Sequence, residues 1–234
     1  MRFNDGAIDP AGRFFAGSMT DSNIHPISDE GALFVLSPNP EEVSTSTTDT
    51  STNPALLAPL GGAGSAHIPN GMGWSNDGKT FFYTDSPTKT IWAFDYDVEK
   101  VELTNKRAWW VCDGEKHGWG DVVPDGFAMD AAGDIWAALW GGGRVVRISD
   151  VDGERKVTAE VKIPASCTTC PVFVGGGWLV VTTASVVEDE EAEAEGVEEK
   201  LAQDNRRKVA GRVYRVNVGV EGMERRKFKG RIGL

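Results

Sequence analysis

The chain has 234 residues, 40% of them hydrophobic, and a formal net charge of −11, which allows one domain with a sizeable core. No apolar run is long enough to span a bilayer, no charged and apolar leader follows Met1, and no basic face suits a nucleic acid, so those three classes are set aside. Three cysteines are too few for a disulfide framework and suit a reducing compartment, so the expectation is a cytoplasmic protein.

The first element is "NDGAIDPAGRFFAGSM", beginning at Asn4. An Asn-Asp-Gly opening, a short apolar run, a turn and an aromatic run predict two strands joined by a tight hairpin. Ser37 to Ala66, "SPNPEEVSTSTTDTSTNPALLAPLGGAGSA", is rich in Ser, Thr, Pro and Gly, and predicts a long flexible surface loop over 37–66. The same grammar returns in "NGMGWSNDGKTFFYTDS" from Asn70 and in "DGFAMDAAGDIWAALWGG" from Asp125, each followed by a closing strand, "TIWAFDYD" and "GRVVRIS". A fourth, degraded copy runs from "TTCPVFVGGGWLVVTTA" to "GRVYRVNVG". Inside it lies a charged insertion over 188–208, whose Glu188 to Glu199 holds eight acids and no base. Such a run reads as a solvated loop or short exposed helix, and without it the net charge is −3.

Repeats of about 40–50 residues with four short strands each are the pattern of a β-propeller. The fold class expected is therefore all-β, one propeller domain over 1–234 with about four recognisable units. A β-sandwich is the rival, but it gives no reason to repeat a polar pair at strand starts. In a propeller the first strand of each blade lines the channel, so Asn70 and Asp125 fall at equivalent places facing the axis. An amide oxygen and a carboxylate are hard donors of the kind Ca²⁺, Mg²⁺ or Mn²⁺ accept. Turn formation alone also explains Asn-Gly and Asp-Gly pairs, and spacing does not choose between the two.

Other motifs carry less. Cys167 and Cys170 form a CxxC with no second pair and no nearby histidine, which fails as a zinc site and reads as buried or strand-end thiols. His25, His67 and His117 are scattered and accompany no GxSxG serine. Trp74, Trp92, Trp136 and Trp140 fall in predicted strands and read as core, while Trp119 lies on the loop before Asp125 and could wall a pocket.

"RFNDGAIDPAGRFFAGSM", "PNGMGWSNDGKTFFYTDS…IWAFDYD" and "PDGFAMDAAGDIWAALWGGGRVVRI", in that order, resemble the regucalcin/gluconolactonase (senescence marker protein) family from Arg2 to about Ala184. The resemblance implies a six-bladed propeller with a divalent metal (Ca, Zn, Mn or Mg) in its channel, hydrolysing sugar lactones. Matched motif to motif, it implies metal ligands at Asn70 and Asp125, a general base at Asp125, and substrate contacts at Arg2 and Asn4. The family's first blade, with its metal-binding glutamate, has no counterpart here, so the propeller is expected to be N-terminally incomplete, unless that blade precedes Met1. Where the family often carries a substrate-contacting glutamate this chain has Ser22 beside Asp21, and its F-G-G segment reads "VFVGGGW". The departures leave an alternative: a truncated, catalytically impaired propeller serving as a calcium-associated or protein-binding module. Nothing in the sequence specifies a protein partner.

Overall fold

The computed structural model describes residues 1–37, 57–185 and 209–229. They are strands joined by turns, with one short 3-10 turn at Ser86–Thr88. The acidic stretch expected at 188–208 lies outside the described residues, as does most of the Ser/Thr-rich stretch.

The chain divides into two compact units, Met1–Cys112 with the described residues from Met223 on, and Asp113–Gly222. In the first unit, β1 (Arg2–Ile8), β2 (Phe14–Met19), β3 (Leu33–Leu36) and β4 (Leu57–Pro59) form one antiparallel sheet in chain order. A second sheet holds β5 (Pro69–Trp74), β6 (Thr80–Asp85), β7 (Thr90–Asp97) and β8 (Glu102–Val111), again in chain order. In the second unit β9 (Val123–Met129), β10 (Ile135–Trp140), β11 (Arg144–Val151) and β12 (Glu154–Lys162) form a third. The fourth copy gives β13 (Thr168–Phe173), β14 (Trp178–Thr183) and β15 (Val213–Asn217). These meanders are propeller blades, and the class is all-β.

The repeated turn has a local cause. Asp9 N–H donates to Arg13 O, Ser75 N–H to Thr80 O, Asp130 N–H to Asp134 O and Val174 N–H to Trp178 O. The first three turns each have one glycine at positive φ, Gly12, Gly78 and Gly133, and the fourth has three in a row, Gly175, Gly176 and Gly177. Two turn aspartates are also buried anchors. Asp9 pairs with Arg13 at 2.7 Å, and Tyr96 of β7 donates to Asp9 Oδ2 at 2.6 Å. Asp130 Oδ2 accepts from Trp136 Nε1 and Arg147 Nε, while Arg147 Nη2 also reaches Asp134 at 2.8 Å.

Each unit has its own core. In the first, Phe15, Trp74, Phe81, Phe94 and Tyr96 interlock, with Phe15 edge-on to Trp74 at 5.0 Å. In the second, Trp136, Val145, Leu179 and Val181 pack with Phe173. Two expectations need correction. Trp140 is not core: it ends β10 at 40% exposure, where the next turn begins. The loop expected to run to 66 stops earlier, because "LAP" pairs with β3 as β4 and Leu60, Ala63 and Ala66 are buried against the first core. Gly62 there lies so close to Leu103 O that no side chain would fit.

Candidate active site

The first strand of every sheet breaks register once, at the same place. In β1 Asn4 and Asp5 together face Gly17 of β2, since Phe3 pairs with Ser18 and Gly6 with Ala16. In β5 Asn70 and Gly71 face Thr84, and in β9 Asp125 and Gly126 face Ala138. In β13 Thr169 is the extra residue between the pairs Thr168–Thr183 and Cys170–Thr182. Each bulge lies five residues before the residue that starts the hairpin turn, Asp9, Ser75, Asp130 or Val174. A bulge adds one residue, sharpens the local twist and re-aims the side chains it carries. The repeated Asn-Gly and Asp-Gly pairs at Asn70 and Asp125 are therefore bulge residues inside strands, not hairpin turns.

In the first unit three of the expected site residues meet. Arg2 Nη1 donates to Asn4 Oδ1 at 3.1 Å. Asn4 Nδ2 donates to Asn70 Oδ1 at 2.8 Å and to Pro69 O at 3.0 Å. Asn70 Nδ2 in turn donates to Ser86 Oγ at 2.8 Å. This directed chain fixes both amides, and it leaves Asn70 Oδ1 a second lone pair for another partner. Ser86 was not legible in the sequence, because a Ser-Pro pair after a strand signals only a turn. Asp5, beside Asn4 in the bulge, accepts from Gly6 N–H at 2.7 Å, and burial raises its carboxyl above the usual carboxylate range.

The rim of this site is held by a buried aspartate. Asp85 ends β6 and accepts from the backbone N–H groups of His67 and Ile68 and from the His67 ring at 3.2 Å. It ties the start of β5 to the end of β6, so His67 is a framing residue at the strand entrance. Ser22 is exposed in a turn shaped by Asp21, whose carboxylate accepts from Asn23 N–H at 3.1 Å.

In the second unit Asp125 is half-buried in the β9 bulge. The following Gly126 admits the neighbouring sheet: a Cβ there would stand 2.8 Å from Thr169 O and 3.0 Å from Cys170 Sγ. Trp119 stacks on His117 with ring centres 4.2 Å apart, and the Arg144 guanidinium lies 5.3 Å from its ring centre. That fixes the loop ahead of β9. Cys170 is exposed on β13 and Cys167 just precedes the strand.

The oxygens expected to serve as metal ligands are, in the first unit, the Asn70 amide oxygen, whose amide is held by Asn4 and Ser86, and, in the second unit, the Asp125 carboxylate. Both are hard oxygens and fit calcium, magnesium or manganese in kind better than zinc, which favours nitrogen and sulfur. Among the described residues no group of three or more His, Cys, Asp or Glu is gathered as a ready metal cage.

A family model described as the SMP-30/Gluconolactonase/LRE-like region matches residues 1–185. Regucalcin of Gallus gallus is 34% identical over 235 residues, covering 98% of this chain and 67% of its own length. Regucalcin of Homo sapiens is 35% identical over 187 residues, covering 78% of this chain and 54% of its own. Among solved structures, a luciferin-regenerating enzyme superposes with a TM-score of 0.73 at 29% identity, covering 97% of this chain and 65% of that one. The chain thus spans about half to two thirds of the length of these relatives.

Proposed function

The chain belongs to the SMP-30/gluconolactonase/LRE-like family, and from that premise we propose that it hydrolyses a sugar lactone, with a divalent cation held by Asn70 and Asp125. The observation that carries the reading is the shared bulge, which gives Asn4, Asn70 and Asp125 one register position in three successive first strands. A fold that needed only turns there would not repeat the break inside strands, nor pin the Asn70 amide from both ends.

Each residue has a task suited to its chemistry. Arg2 and Asn4 carry donors and an acceptor that match neighbouring sugar hydroxyls, and Arg2 adds a fixed positive charge for the carboxylate product. Asn4 also keeps the Asn70 oxygen aimed, through the 2.8 Å bond. Asp125 accepts a proton from water as its oxygen adds to the lactone carbonyl carbon, then returns that proton to the ring oxygen when the C–O bond breaks. The chemistry a bound divalent cation supplies at these oxygens is Lewis-acid polarisation of the lactone carbonyl.

The test is acid release from glucono-δ-lactone, followed at constant pH with added manganese, magnesium, calcium or zinc. The expected result is a cation-dependent rate that Asp125→Asn lowers by about 10²-fold or more, while Arg2→Ala chiefly raises KM. A rate that survives chelation or the Asp125 substitution overturns the reading. So does a chain that binds cation without hydrolysing the lactone, the outcome expected of a binding module.

A further inference from the structure

The described chain continues past its last strand. After β15 it leaves the second unit at Gly222, where Ala131 N–H donates to Glu221 O at 2.8 Å and Gly222 bridges Asp130, and from Met223 on it belongs to the first unit. Residues 223–229 form no strand or helix and lie beyond the residues that the family model matches. They still make defined contacts with both sheets of the first unit, each at a hairpin turn. Arg226 Nη2 donates at 3.3 Å to the main-chain oxygen of Ser75, which opens the β5–β6 turn, and its guanidinium lies 5.7 Å from the ring centre of Trp74. Lys229 N–H donates to Gly12 O in the β1–β2 turn at 3.0 Å. Its stem covers Gly12 so closely that a Cβ there would stand 2.5 Å from Lys229 Cγ. The two turns also touch, since a Cβ on Gly78 would stand 3.0 Å from Pro10 Cγ.

Arg226 differs from the residues beside it. Arg225 and Lys227 are exposed, whereas Arg226 is half-buried against a tryptophan that is 1% exposed. Burial pulls its proton affinity below the usual arginine range, and the Asp9 carboxylate works against that shift. A guanidinium gives up water only where other groups replace it, and here a carbonyl oxygen, a ring face and a carboxylate do so. A cation–π contact is strongest where water is excluded.

We propose that residues 223–229 are a strap that fastens the two hairpin turns of the first unit to each other, with Arg226 as its latch. Asn4 and Asn70, joined by their 2.8 Å bond, each stand five residues ahead of one of these turns. Strands β1 and β5 are thus held together at one end by that bond and at the other by the strap. The first unit, built mostly from the N-terminal half, is completed by residues from the far end of the chain. This holds whether or not the chain hydrolyses a lactone.

Amide hydrogen exchange on the full chain tests the strap. The N–H groups of Asp9, Gly12, Ser75 and Gly78 close the two turns of the first unit, and those of Asp130 and Gly133 close a turn of the second. In Arg226→Ala the first four are expected to exchange about five- to thirtyfold faster, while the last two keep their rates. Lys229→Pro, which removes the donor to Gly12 O, should speed Asp9 and Gly12 most. Lys227→Ala, an exposed neighbour, is the control and should change none of the six. Equal exchange in the Arg226 and Lys227 variants overturns the inference. So does an acceleration spread evenly over both units, which would report a general loosening rather than a released strap.

Discussion

Asn4 Nδ2 donates to Asn70 Oδ1 while Asn70 Nδ2 donates on to Ser86, so one directed chain of bonds orients both amides of the candidate site. Their neighbour Asp5 has the opposite character. Its sheltered carboxyl is held by one backbone N–H, and burial pushes its proton affinity up. The folded state therefore favours the protonated acid, and Asp5's contribution is fully present below the unfolded value of 3.8 and lost as pH rises through the raised folded value. Asp5→Asn keeps the acceptor for Gly6 N–H and removes the charge. It is expected to raise the melting temperature at pH 7, with the gain fading as pH falls to about 4. Thermal melts of both proteins across that range check it, and a gain independent of pH would contradict the burial argument. Asn70 is marked in the sequence because a polar residue recurs beside glycine at strand starts, and Asn4 through the family resemblance of its motif. Asp5 is not, since Asp-Gly signals a turn wherever it stands, and only the register shows it inside a strand.

At the scale of elements, the glycine that follows Asp125 proves to be about clearance. Gly126 does not sit in a turn; it lets β13 approach β9 where the two bulges meet. Gly126→Ala would force a Cβ against main-chain Thr169 O, which cannot move as a flexible side-chain tip could. We expect a loss of about 1–3 kcal/mol, the usual result of overpacking, together with reduced lactone hydrolysis. Gly61→Ala, where nothing lies within 4 Å, is the control and should stay within about 0.5 kcal/mol. Urea midpoints measure both, and equal effects at the two glycines would refute the clearance argument. The hairpin turns show a second element-level device. The Asp9–Arg13 pair is 0% and 2% exposed, and Tyr96 reaches across from β7 to complete it. Asp9→Ala would strand a buried guanidinium and is expected to lower stability by about 3–5 kcal/mol. Nothing in "DPAGR" announces this, because the same string serves equally well as a solvated turn. Burial is decided by a residue 87 positions away.

For the molecule as a whole, legibility followed the range of the interaction. Hairpin turns are set by four or five residues, so the repeat and the all-β class could be read directly. The outer strands could not. β8, "ELTNKRAWWV", opens with a run of polar residues and groups its apolar ones at the end, and β12 shows only three alternating apolar residues, Val157, Ala159 and Val161, in a strand with no fully buried position. β4 was hidden for a different reason: three residues paired to β3 carry too little pattern to stand out from the Ser/Thr-rich run before them. Charge, in contrast, is read from composition alone, and it supports a prediction about the whole chain. Eight acids between Glu188 and Glu199 account for most of the net −11. The strands on either side of them are joined by bonds that do not involve the stretch: Gly211 N–H donates to Ala184 O and Thr183 N–H to Arg212 O, each at 3.1 Å. Deleting Glu188–Glu199 should therefore bring the charge to −3 and raise the isoelectric point from about 4.8. The core strands keep their partners, so the melting temperature should stay within about 2 °C, as for a surface change worth no more than 0.5 kcal/mol. Isoelectric focusing and a thermal melt read the two quantities separately. A melt lowered well beyond that margin, with the charge shifted as expected, would mean that the acidic stretch packs on the folded body.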